Sequence, residues 1–110
     1  MYNYVMLMGT VIEVRDEFIV NQKATHIKLA CRRPFRERDG RFVVDEFDIT
    51  VYDYLAETVK EHLKEGSRIS VKGRLNPSNY QSLCKIVGEH IFFMEEGVAG
   101  AINTDGKKDC

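Results

Sequence analysis

Residues 47–75 read FDITVYDYLAETVKEHLKEGSRISVKGRL, and the spacing of their apolar side chains changes twice. Over 47–52 the period is two. Phe47, Ile49 and Val51 take one side and Asp48, Thr50 and Tyr52 the other, as in a half-buried strand. Leu55, Val59 and Leu63 then recur at four-residue spacing, the stripe of one short amphipathic helix, with Asp53 placed to cap its start and Gly66 just past its end. From 67 to 75 the period of two returns, with Ile69, Val71, Gly73 and Leu75 inward and Ser70, Lys72 and Arg74 outward.

Upstream, residues 24–32 alternate cleanly: Ile27, Leu29 and Cys31 point inward, His26, Lys28, Ala30 and Arg32 outward. Residues 33–42 carry Pro34 and an Asp39-Gly40 turn, so they form a hairpin arm into the next strand, about 43–52, where Glu46 also points outward. The first strand, 4–14, is apolar on both faces: Val5, Leu7 and Val11 on one, Met6, Met8, Ile12 and Val14 on the other, with Gly9 as the expected bulge or bend. One face can meet a barrel interior; the other needs a second cover, and a partner subunit held by Val5, Met6, Leu7 and Met8 supplies it. A continuation at 18–20 turns at 21–23, and a last strand spans about 82–94. Three strands, one helix and two strands is the connectivity of an all-β oligonucleotide-binding (OB) fold, a five-stranded Greek-key barrel with its helix between strands three and four. Residues 1–95 are read as that domain and 96–110, polar and Gly-rich, as a short flexible tail.

At 110 residues the chain is long enough to bury a core without metal or disulfides. Its formal net charge of −1 decides little, because binding to a polyanion depends on cations gathered on one surface rather than on the sum. Cys31 and Cys84 fall in apolar-alternating stretches and read as small core residues, with Cys110 left over, a usage that suits a reducing cytoplasm. The start, MYNY, lacks the pattern of a signal peptide, and no apolar run reaches membrane-spanning length.

The arm holds the chemistry. Arg32, Arg33, Arg36, Arg38 and Arg41 face only Glu37 and Asp39, an excess of three positive charges, and Phe35 lies among them in a polar setting. Guanidinium groups for phosphates interleaved with an aromatic face for bases are what single-strand binding needs. The bland alternative is a solvated turn with Phe35 folded onto the barrel. Lys28, Tyr52, Lys72 and Arg74 share outward parity, and Tyr80 sits in a polar loop; each also has an ordinary structural reading. His26, His62 and His90 are scattered without ligand spacing, and no nucleophile motif or phosphate loop occurs. Asp45, Glu46 and Asp48 would suit a metal-dependent nuclease, but outward charges are the default on such a strand. Neither a metal nor a cofactor is expected.

NYVMLMGTV (3–11), IKLACRRPFRERDG (27–40), the 47–75 stretch and IVGEHIFFM (86–94) together resemble the bacterial single-stranded DNA-binding protein family. The resemblance implies a non-catalytic, sequence-tolerant binder that protects single-stranded DNA in replication, recombination and repair. It places family stacking aromatics at Phe35, Tyr52 and Tyr80, while a fourth falls on Glu46. It also implies a dimer built on strand one, often doubled to a homotetramer in a nucleoid-associated, cytoplasmic setting. Family members commonly end in an acidic tip that recruits replication and repair partners; this chain ends TDGKKDC. The rival reading is an OB module of primosome type that works mainly through protein partners.

Overall fold

The computed structural model describes residues 2–77 and 84–94, with the backbone alone at 100–102 and 108–109. Five strands and one helix build the barrel: β1 (Val5–Ile19), β2 (Gln22–Arg36), β3 (Phe42–Tyr52), α1 (Asp53–His62), β4 (Arg68–Pro77) and β5 (Cys84–Phe93). Neighbours run β3-β2-β1-β4-β5, and a parallel pairing of Ile49 and Thr50 with Ile86 and Val87 closes β3 onto β5. The all-β OB barrel with its helix between strands three and four is therefore present. A short strand β6 (Gly100–Ile102) pairs with β5, and a second, β7 (Lys108–Asp109), pairs with β6. The rest of the 96–110 tail lies outside the described residues, as does Tyr80. Among the described residues no helix is long and apolar enough to cross a membrane.

The period-two sets meet inside. Val11, Ile27, Leu29, Ile49, Val51, Ile69, Val71 and Ile91 are fully buried, and Leu55, Ala56, Val59 and Leu63 of the helix and its end plug one mouth. Burying each such Val, Leu or Ile contributes about 1.5–3 kcal/mol of transfer free energy. Thr25 pins the plug by donating its hydroxyl to the Ala56 carbonyl, 3.0 Å away.

Several expectations shift. The bulge of β1 lies between Val11 and Glu13, not at Gly9, so Val14 returns to the core side and packs against it. Gly9 instead marks a close approach, since a Cβ there would overlap the Ala30 carbonyl oxygen. Asp53 does not cap α1: Tyr52 holds that position, with no side-chain cap, and Asp53 enters the first turn at φ 57°. Leu75, with inward parity, is 40% exposed, two residues beyond Val5–Gly73, the last pair that β4 makes with β1. Cys31 packs at the core edge, but Cys84 is exposed where β5 begins. His26 has outward parity, yet it is buried, with Nε2 2.7 Å from Oδ1 of Asp48. It is flanked in register by Arg15 and Thr50, and the Thr50 hydroxyl donates to Glu17 at 3.1 Å, so this part of the outer surface is closed over by its own polar side chains.

Candidate nucleic-acid interface

β2 and β3 pair from Ala24–Tyr52 out to Arg36–Phe42, with an irregularity between Arg32 and Arg36. The outer row of β3 is Tyr52, Thr50, Asp48, Glu46, Val44 and Phe42, and beside it on β2 lie Ala24, His26, Lys28, Ala30, Arg32 and Arg36. Ten residue steps of strand cover roughly 33 Å if fully extended. Beyond the barrel the two strands form a ribbon ending in the Asp39-Gly40 turn. The Glu37 carbonyl accepts the Gly40 amide there, and Gly40 sits at φ 85°, a region that glycine enters without cost.

The structure gives the five arm arginines different surroundings. Arg33 is bidentate on Asp45, with Nε–Oδ2 at 3.0 Å and an Nη–Oδ1 contact at 3.1 Å, and it reaches Glu37 at 3.2 Å. Those hydrogen bonds hold the Asp45 carboxyl below its ordinary pKa and raise that of Arg33. Arg41 donates to Asp39 from its backbone amide and its Nε, lowering the Asp39 pKa. Arg32 and Arg36 make no ion pair among the described residues; their guanidinium carbons lie 4.3 and 4.7 Å from the centroid of the Phe42 ring. Arg38 is exposed, again without an ion pair among the described residues.

Phe35 is 59% exposed on the ribbon, so it is not folded onto the barrel. Tyr52 is half-buried where β3 meets α1, and Lys28 stands in register between Glu13 of β1 and Asp48 of β3. Lys28, Arg32, Arg33, Phe35, Arg36, Arg38, Arg41 and Tyr52 thus occupy one two-stranded ribbon. Lys72 belongs to other company, between Met6 and His90 and 5.2 Å from the Tyr4 ring. Arg74 stands opposite Val87 of β5, near the β3–β5 seam, with Glu89 at 3.9 Å. Val5 and Leu7 turn inward, whereas Met6 and Met8 are exposed on the outside of β1.

Sequence reasoning missed Phe42 and Tyr4. Phe42 has the outward parity of Glu46 and Tyr52, so continuing the alternation four residues upstream finds it; the contact with two guanidinium groups needs coordinates. At the opposite end of β2, a cleft between the β1–β2 hairpin and α1 is lined by paired charges, Lys23 with Glu57 and Lys60 with Asp16, and offers no comparable cationic face. Among the described residues no group of His, Cys, Asp and Glu is arranged to hold a metal ion.

Comparison with known proteins agrees with this geometry. The model of the "Single-strand binding protein family" matches residues 2–84. Single-stranded DNA-binding protein B of Bacillus subtilis is 29% identical over 84 residues, 74% of each chain. Single-stranded DNA-binding protein 1 of Clostridium acetobutylicum is 25% identical over 103 residues, covering 84% of this chain and 94% of that one. In fold, a Plasmodium falciparum SSB solved in complex with ssDNA superposes with TM-score 0.69 at 22% identity, over 86% of this chain and 96% of its own. A dimeric PriB N-terminal domain from Thermoanaerobacter tencongensis reaches 0.62 at 18%, over 86% and 98%, a likeness of fold alone.

Proposed function

The chain belongs to the single-strand binding protein family, and from that premise we propose that it binds single-stranded DNA without sequence preference along its β2–β3 ribbon. The observation that carries this reading is the arm, where Phe35 is exposed on the same ribbon as Arg32, Arg36 and Arg38, three cations that make no ion pair among the described residues. A base of any identity offers a π face to Phe35 and Tyr52, and Arg32, Arg36, Arg38 and Lys28 supply the phosphate charge. Tyr80 is assigned a stacking role on the family resemblance, and Arg33, Arg41, Lys72 and Arg74 secondary electrostatic roles. The protein is not an enzyme; the family binds DNA without turning it over. The primosome-type alternative is not favoured, because the family match spans the barrel and the PriB likeness is one of fold.

The protein acts as a homo-oligomer, dimer or tetramer, with the Val5–Met8 segment as interface. Exposed Met6 and Met8 on a strand whose other face is core support this. Protection of strands exposed in replication, recombination and repair, in the cytoplasm, is the role that follows.

Anisotropy titration of a labelled oligothymidine tests the reading. Affinity is expected to fall with salt, with a log–log slope of about −0.7 per phosphate neutralised. Phe35→Ala is expected to cost about 1–3 kcal/mol of binding without lowering the melting temperature. Absence of binding by the wild-type protein at low salt would remove the proposal.

A further inference from the structure

We infer that Phe42 is a positioning residue: its ring holds Arg32 and Arg36 as a paired phosphate clamp, so that their charge meets the DNA backbone already ordered. The inference rests on the single-strand reading above and assigns, within that surface, a device the family resemblance does not supply.

Three observations lead there. The two guanidinium carbons lie 4.3 and 4.7 Å from one ring centroid, within the reach of a cation–π contact. Neither arginine has an ion pair among the described residues, whereas Arg33 and Arg41 on the same arm are taken by Asp45 and Asp39. The arrangement also sits outside the barrel core, on a ring that is itself 38% exposed, so packing alone gives no reason for it. An arginine held flat by an aromatic face has lost much of its rotamer freedom before the ligand arrives, while the edge of its fork can still donate to phosphate. The outward row between Phe42 and Tyr52 carries Glu46 and Asp48, which repel a polyanion. Two fixed cations at the far end of that row help to offset this.

The experiment compares wild type, Phe42→Leu and Phe42→Tyr, each confirmed folded by circular dichroism and thermal melting. Affinity for oligothymidine is measured across a salt series, and the Arg32 and Arg36 side-chain Nε–H resonances are followed by NMR. Phe42→Leu is expected to bind about tenfold more weakly, with a salt slope shallower by about 0.7–1.4, one or two phosphates. The two Nε–H signals should lose their ring-current shift, and Phe42→Tyr should restore all three properties. If Phe42→Leu weakens binding while the slope stays at the wild-type value, the ring stacks on a base instead and the inference fails. Unchanged affinity and slope in Phe42→Leu also overturn it, with the single-strand reading intact. Should Phe42→Leu not fold, Arg32→Lys/Arg36→Lys decides: the charge is kept but the planar stack is lost, so wild-type affinity would sink the inference. A wild-type protein that binds no oligothymidine overturns the underlying reading, which separates the two failures.

Discussion

Asp45 takes two hydrogen bonds from the Arg33 guanidinium, and with Glu37 it withdraws that cation from the arm's outward charge. The same contact holds the Asp45 carboxyl below its usual pKa. The direction of the pH effect follows. A carboxyl with a lowered folded pKa contributes its stability above the unfolded value near 3.8, and the contribution fades as pH falls through the lower, folded value. Acidification below that value therefore loosens the root of the arm, which is exposed and screened, and leaves the barrel largely unaffected. Asp45→Asn is expected to abolish this acid loosening, seen as loss of the acid-dependent change that Asp45 contributes to the Arg33 Nε–H resonance, with the shifts that follow Asp39 and Glu37 retained. It also releases Arg33 towards phosphate, so the salt slope should steepen by about 0.7 and oligothymidine binding should tighten. Weaker binding in Asp45→Asn would mean that the ion pair orders the arm and does not compete with DNA.

At the level of the element, β5 shows how a strand can fall where it is expected and still carry an irregular register. Lys72 faces His90 while the next residue, Gly73, faces Gly88, so Glu89 is an extra residue. The shift turns Gly88 into the barrel, where a Cβ would lie 2.8 Å from Val51 Cγ1 and 3.2 Å from Ile49 Cγ2. Neither neighbour can retreat, since both are fully buried. Gly88→Ala is expected to destabilise the fold by about 1–3 kcal/mol in urea unfolding, and adding Val51→Ala to it should recover part of the loss through the space vacated. Strictly additive losses would show that the two positions do not share that space. The alternation that identifies the strands was legible because burial repeats every second residue. The bulges at Val11–Glu13 and in β5 were not, because one extra residue changes facing without changing composition.

For the whole molecule, the formal net charge of −1 is distributed rather than cancelled. The β2–β3 ribbon ends in Arg32, Arg36 and Arg38, while acidic side chains pair with lysines between the opposite hairpin and α1, Asp16 with Lys60 and Glu57 with Lys23. Met6 and Met8 are 53% and 59% exposed beside Ser70 and Lys72 of β4. This exposed pair is the surface proposed above to be covered by a second copy. Met6→Asp/Met8→Asp is expected to shift the light-scattering mass to that of one chain while preserving the strand content of the circular dichroism spectrum. A mass unchanged by the double substitution would place the interface elsewhere.

The sequence by itself determined the order of the barrel strands and helix, the core set from Ile27 to Val71, and the arm as the bearer of cations around Phe35, whose exposure the structure decided. Each is a local matter of periodicity, turn chemistry or composition, which a chain states without reference to distant residues. Only the tertiary structure decided that His26 is closed over, that Gly9 answers to the Ala30 carbonyl, and that Arg33 belongs to Asp45 while Arg32 and Arg36 belong to Phe42. Those outcomes depend on which strand lies alongside and in what register. Interactions that fall off within a few ångströms are assigned by folding, not by spacing along the chain.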